Sequence, residues 1–214
     1  MIKGIIFDMD GVISDTQKLH SRIESKLLAR YGIYMTPVEI TEKYSGVKTK
    51  DFFHELLKDH DPKIDLDPLL DEKWSQMEQS ASQSVDMIEG SVELIRRLSS
   101  QGYPLAVAST SNMNYVQSVL RTLGIIDRFS FIASGDMVLK GKPDPEIFLL
   151  AASKIHVDPK KCLVIEDGIS GMKAAKSANM KCIGLVSDKN KNYPTKNLVT
   201  SLAEITPEYL NQIV

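Results

Sequence analysis

From residue 84 onward, short apolar runs alternate with segments of helical periodicity. EGSVELIRRLSSQG ends near Gly102 and leads to PLAVAS; SNMNYVQSVLRTLG leads to FSFIAS, PDPEIFLLAASKI to CLVIE, and GISGMKAAKSANM to CIGLV. Runs of four to six residues with no polar alternation suit strands covered on both faces, and helices between them supply the crossovers of a parallel sheet. KGIIFD at the start of the chain has the same composition and is assigned to the same sheet. The pattern predicts a doubly wound α/β domain.

Residues 15–83 read differently. Leu19, Ile23, Leu27, Leu28 and Tyr31 recur at helical spacing, Pro37 suits the start of a second helix, and DFFHELLKDH and LDPLLDEKWSQME predict two more. No convincing strand is present. A helical block inserted after the first strand would sit above the carboxyl ends of the sheet, where open α/β sheets bind ligands. The expected division is therefore a core of 1–14 and 84–214 with a small helical cap of 15–83. Trp74 and Met77 are assigned to the cap's core. His54 and His60, with nearby acids, have no recognised metal spacing and read as a solvated helix end. SDKNKNYPTKN, residues 187–197, reads as a solvated surface connection.

Composition narrows the partners. The chain has 214 residues, 43% of them hydrophobic, which can fill a sizeable core. Lys and Arg total 26 against 28 for Asp and Glu, so no basic surplus argues for nucleic acid. Cys162 and Cys182 each open an apolar run and are expected to be buried reduced thiols, a usage that fits a cytoplasmic protein. No apolar stretch has membrane-spanning length, and the N-terminus lacks a signal-peptide pattern. A monomer is expected, because a cap must be free to open.

The first strand runs straight into like charge: GIIFDMDGVISDT carries Asp8, Asp10 and Asp15 around Gly11. Neighbouring carboxylates repel and raise one another's pKa, so a positive partner is expected. The predicted scaffold brings Asp8, Ser109, Lys142 and the pair Glu166–Asp167 to one edge of the sheet. Singly, Ser109 could be a helix N-cap, Lys142 a surface charge, and Glu166–Asp167 a cap on the helix starting near Gly168. Jointly their chemistry is complementary. Asp8, Asp10 and Asp167 form an oxygen cage suited to Mg²⁺, while Lys142 and the Ser109 hydroxyl, with backbone N–H groups of the following helix, suit a phosphate dianion.

The motifs DMDGVISDT (8–16), VAST with Ser109 and Thr110, KGKPDPEIF with Lys142, and VIEDGISG with Glu166 and Asp167 together resemble the haloacid dehalogenase superfamily. Within it the chain is similar to the subgroup with a small helical cap that includes beta-phosphoglucomutase and many sugar-phosphate phosphatases. The resemblance covers essentially the whole core. It implies a Rossmann-like fold, Mg²⁺ dependence and an aspartyl-phosphate intermediate. Asp8 would be the nucleophile; Asp10 would be general acid and then general base, with its backbone carbonyl joining Asp8 and Asp167 at the metal. Glu166 would support the metal or Lys142, and Ser109, Thr110 and Lys142 would bind phosphate. Asp15 and Thr16 are assigned a hinge or capping role.

In the cap, His20 is either a residue that positions Asp10 or meets substrate, or a partly exposed helix histidine. YSGVKTKD (44–51) is read as the substrate-facing turn, with Gly46, Val47 and Lys50 as candidates and Lys48 as an alternative to Lys50. Beta-phosphoglucomutase has an arginine where this chain has Thr49, and a lysine–asparagine pair where it has Asn112 and Met113. Those groups hold the distal phosphate in the mutase, so their absence favours hydrolysis of a small monophosphate, a sugar or polyol phosphate. The rival readings are a beta-phosphoglucomutase-type mutase, a phospho-aspartate signalling domain, and a catalytically silent binding protein.

Overall fold

A computed structural model describes residues 1–44, 46–59 and 64–213. Its centre is a six-stranded sheet in the order β3-β2-β1-β4-β5-β6, with every pairing parallel. The strands are β1 Gly4–Phe7, β2 Leu105–Ala108, β3 Phe131–Ala133, β4 Cys162–Glu166, β5 Lys181–Leu185 and β6 Asn197–Val199. Ile5 of β1 lies opposite Leu105 and Leu163. Because strand side chains alternate, Ile5 and Phe7 enter one apolar cluster and Ile6 the other. This two-sided burial is the physical reason for the unalternating apolar runs.

Chain direction across the sheet switches at β1, which pairs with β2 on one side and β4 on the other. Such a switch opens a crevice at the carboxyl ends of the strands. Four helices follow β1 before the sheet resumes: α1 Gln17–Ala29, α2 Pro37–Tyr44, α3 Thr49–Leu57 and α4 Asp67–Gln83. They form a cap over that crevice. Pro37 opens α2, and Thr36 and Glu39 exchange hydrogen bonds across its first turn in a capping box. Met77 is fully buried and Trp74 packs against the same cluster, whereas His54 is exposed; His60 lies outside the described residues.

Between cap and core the chain passes twice through one narrow connection. Ser14 bridges to both Asp10 and Met87, and the Asp15 N–H donates to Asp86 O at 2.7 Å. The remaining helices, α5 Ser91–Ser100, α6 Met113–Thr122, α7 Glu146–Lys154, α8 Ile169–Ser177 and α9 Pro207–Gln212, complete the molecule. Among the described residues no helix is long and apolar enough to cross a membrane. Cys162 and Cys182 are buried and unpaired.

The segment 187–197 departs from a plain surface connection. Tyr193 packs on the core, Thr195 donates to the Cys182 carbonyl at 2.6 Å, and Asn197 begins the sixth strand. A three-residue edge strand, NLV, is too short to show a period, and its neighbours are polar.

Candidate active site

The loop after β1 is shaped by Gly11, whose φ of +95° lies in the left-handed region. A Cβ there would also overlap the Asp167 carboxylate and the Gln17 amide. This tight exit keeps Asp8 and Asp10 together at the end of the strand. Asp8 is nearly buried, and its backbone N–H is anchored to Ile165 O of β4, which fixes it beside Glu166 and Asp167.

Lys142 reaches the same point from the loop before α7. Its ammonium donates to Asp8 Oδ1 at 2.5 Å and Glu166 Oε2 at 2.7 Å. It also lies 4.9 Å from the Phe148 ring centroid, and its side chain is 1% exposed. Glu166 accepts in turn from the Gly168 N–H. Space for the Glu166 carboxylate depends on Gly171 of α8, where any Cβ would collide with it.

One buried lysine faces three acids. Oxygens of Asp8, Glu166 and Asp167 lie within 4.8 Å of one another, so the cluster is short of positive charge. Burial, reinforced by Glu166, pushes the Asp8 carboxyl well above its ordinary value despite Lys142. Burial and the Glu166 charge likewise push Asp167 up to about 8. Lys142, although burial opposes its charge, is held protonated above its ordinary value by Asp8 and Glu166. Oxygen donors that are this reluctant to ionise unaided fit a hard divalent cation. The Gln17 amide bridges Asp167 Oδ2 at 2.6 Å and the Asp10 carbonyl at 3.2 Å, two of the oxygens expected at the metal.

This charge deficit sets a pH dependence. Between the unfolded value of 3.8 and a folded value of about 8, native Asp167 holds a proton that the unfolded chain has lost. Stability from this group therefore falls as pH rises through that window. The carboxyls whose pKa is lowered have already lost their protons in both states by pH 6, where the comparison starts. In chelator, the thermal midpoint is expected to be lower at pH 8 than at pH 6, with magnesium chloride removing most of the difference. A midpoint in chelator that rises over this range would contradict the charge deficit.

Asp10 sits in a different environment. Its Oδ1 accepts from Thr16 Oγ1 at 2.5 Å and lies 3.2 Å from His20 Nε2, and its Oδ2 accepts from Ser111 Oγ at 3.1 Å and Ser109 Oγ at 3.4 Å. Burial opposes its ionisation, but the His20 charge and the bonds from His20, Thr16 and Ser111 bring its pKa down to about 2. Thr16 stands at the N-cap position just before α1 yet makes no side-chain cap; its hydroxyl donates to Asp10, which corrects the capping half of the hinge or capping role expected of it. Asp15 is exposed in the connection itself.

The cavity between cap and core is lined by Asp8, Asp10, Glu166 and Asp167 below, by Thr110 and Ser111 at the side, and by His20, Gly46 and Val47 above. Ser109 is buried behind Thr110, accepting from the Ser111 N–H at 3.1 Å. Lys50 is not brought to this cavity. It lies on the exposed side of α3, 3.4 Å from Asp67, because Thr49, one residue earlier, takes the inward position. Lys48 donates instead to the Val138 carbonyl at 2.8 Å, tying cap to core.

Sequence reasoning missed Gln17, Ser111, Tyr115, Glu24 and Lys73. The Tyr115 ring stands 5.3 Å from His20 and 5.9 Å from Trp74. Its buried hydroxyl has no hydrogen bond among the described residues. Burial and the nearby Asp10 charge hold the phenol protonated. The signal for Ser111 was present in the run STS; Gln17, Tyr115, Glu24 and Lys73 read as ordinary helix positions.

Known proteins share this architecture. CbbY from Rhodobacter sphaeroides, solved in complex with phosphate, superposes with a TM-score of 0.88 at 26% identity, over 99% of this chain and 100% of that one. The phosphorylated carbohydrates phosphatase of Thermotoga maritima is 30% identical over 190 residues, 88% of each chain. Beta-phosphoglucomutase of Bacillus subtilis is 30% identical over 191 residues, 86% of this chain and 83% of that one. The family model for haloacid dehalogenase-like hydrolase matches residues 5–185, a span that contains every carboxylate of the cluster and Lys142. The chain therefore belongs to the haloacid dehalogenase-like hydrolases.

Proposed function

We propose that the protein is a Mg²⁺-dependent phosphatase that hydrolyses a small phosphate monoester, a sugar or polyol phosphate, through an aspartyl-phosphate on Asp8. The observation that carries this reading is Lys142, bonded at 2.5 Å to Asp8 and 2.7 Å to Glu166 inside an acidic cluster at the floor of the cavity. A carboxylate attacks a negatively charged ester only where positive charge offsets their repulsion. Asp8, Asp167 and the Asp10 carbonyl would hold the ion, with Glu166 in support; when bound, it supplies charge that offsets this repulsion.

In the first step an Asp8 oxygen bonds to phosphorus while the bond from phosphorus to the ester oxygen breaks. Asp10 gives a proton to the departing oxygen. Beside His20, Asp10 is held as a carboxylate. A phosphate dianion arriving next to it raises its proton affinity, because like charge disfavours the ionised form. After the alcohol leaves, Asp10 takes a proton from water, whose oxygen attacks phosphorus and frees Asp8. Thr110, Ser111 and backbone N–H groups beside them would meet the phosphoryl oxygens, with Ser109 supporting the loop and Asp10. The chain divides for this purpose into 1–14 with 84–214 and a cap of 15–83, whose closure excludes bulk water.

Hydrolysis is favoured over the mutase reading because Thr49, at the position of the mutase's arginine, carries no charge, while Lys48 donates to the Val138 carbonyl and Lys50 lies beside Asp67. The test is phosphate release from a panel of sugar phosphates, phosphoglycolate and nucleotides, with Mg²⁺ and then with chelator. Release from at least one small ester, abolished by chelator, is expected. Silence across the panel together with conversion of a sugar 1-phosphate to its 6-phosphate would overturn the proposal in favour of a mutase. Stable phosphotransfer to Asp8 without release would favour signalling.

A further inference from the structure

Three cap helices converge on one buried ion pair that the chemistry above does not use. Lys73 of α4 donates to Glu24 Oε1 of α1 at 2.6 Å and to Thr49 Oγ1, the first residue of α3, at 2.7 Å. Its ammonium also lies 4.4 Å from the Trp74 ring centroid. The two charged side chains are 1% and 11% exposed, yet Glu24, Thr49 and Lys73 all line the cavity that Asp8 floors. An ammonium has three donors. A carboxylate, a hydroxyl and a ring face take them, so this lysine has no N–H to spare for a ligand.

The rest of the cap wall is short of donors as well. The Ser21 hydroxyl donates to Gln17 O, that of Thr41 to Pro37 O, and that of Tyr44 to Glu55. Each keeps lone pairs but has spent its proton. The Gln17 amide is taken by Asp10 O and Asp167 Oδ2, and His20 Nε2 faces Asp10. Glu24 Oε2 has no hydrogen bond among the described residues, and of the cap hydroxyls Thr49 alone keeps its proton. A wall of acceptors takes the O–H groups of a neutral polyol and repels phosphate oxygens, which can only accept.

We infer that Glu24 is a charge selector: it cancels Lys73, the only lysine that the cap side of the cavity offers among the described residues, so that the cap reads hydroxyl groups and rejects a second phosphate. The inference rests on the phosphatase reading and narrows its substrate class to monophosphates with an uncharged, hydroxyl-rich leaving group. Truncating Glu24 to its amide leaves the shape and frees the positive charge.

Glucose 6-phosphate and glucose 1,6-bisphosphate are compared as inhibitors of p-nitrophenyl phosphate hydrolysis by the full-length enzyme in Mg²⁺. Glu24→Gln is expected to shift the ratio of their inhibition constants by about tenfold or more toward the bisphosphate. Lys73→Met, which leaves Glu24 unpaired, shifts it the other way. Loss of cap packing would move both variants in the same direction, and that result, an unchanged ratio in Glu24→Gln, or no inhibition by either ester in any of the proteins overturns the selector. Absence of phosphate release by the wild type from p-nitrophenyl phosphate and from every ester of the panel above defeats the phosphatase reading and the selector with it; where only a panel ester is turned over, that ester replaces p-nitrophenyl phosphate as the reporter. Turnover with an unchanged ratio defeats the selector alone.

Discussion

Asp8→Asn is expected to lower phosphate release by roughly 10⁵-fold or more, the scale seen when a catalytic nucleophile is removed. No neighbour can take over the attack. Glu166 is held by Lys142 and the Gly168 N–H, and Asp10 is turned toward Thr16, His20 and Ser111. The amide has nearly the shape of the acid, so the fold survives. Its neutrality relieves a carboxyl that burial and Glu166 already push upward. The thermal midpoint in chelator should therefore be unchanged or higher while turnover disappears. Mass spectrometry of acid-quenched enzyme should find phosphate on wild-type Asp8 and none on the variant. Residual turnover within about tenfold of wild type would remove Asp8 from the mechanism.

Lys142→Met is expected to lose both stability and activity. The methionine stem keeps contact with Phe148, but Asp8 and Glu166, 8% and 2% exposed at their side chains, are left without their cation. Breaking a buried pair on one side costs about 3–5 kcal/mol. With Lys142 gone, Asp8 is driven further toward its protonated, non-nucleophilic form. A urea titration should show a lower midpoint, partly restored by Mg²⁺, while turnover remains at least about a thousandfold down because the charge facing the phosphate is missing. Lys142→Arg should not rescue, since a planar fork does not fit a pocket built around a point charge. Wild-type stability and turnover in Lys142→Met would show that the lysine is incidental.

The floor of the site was legible because strand ends are legible. Asp8 and Glu166–Asp167 each follow an apolar run, and two such runs in a parallel sheet must finish on the same side. The pairing of Ile5 with Leu163 turns that inference into a short distance. The cap was not legible in the same way. Lys73 stands in LDEKWSQM, where a lysine reads as part of a solvated face. Only the packing of α1, α3 and α4 reveals that it points inward to Glu24 and Thr49. Lys50 illustrates the converse, since a one-residue step along α3 exchanges an inward position for an outward one. Gln17 and Tyr115 depend on two segments meeting across the cavity, which no local pattern encodes. The sixth strand escaped notice because three residues cannot display a period.

The placement of β1 at the middle of the sheet also governs how the molecule comes into being. This strand emerges first during synthesis, yet both of its partners, β2 and β4, emerge far later, and Lys142 lies 134 positions beyond the Asp8 it neutralises. Loop-closure entropy must be met before such distant contacts stabilise anything. The nucleophile is thus made early and armed late: a nascent chain halted before β4 holds a first strand with one flank unpaired and its end in acid, with no complete catalytic pocket around it.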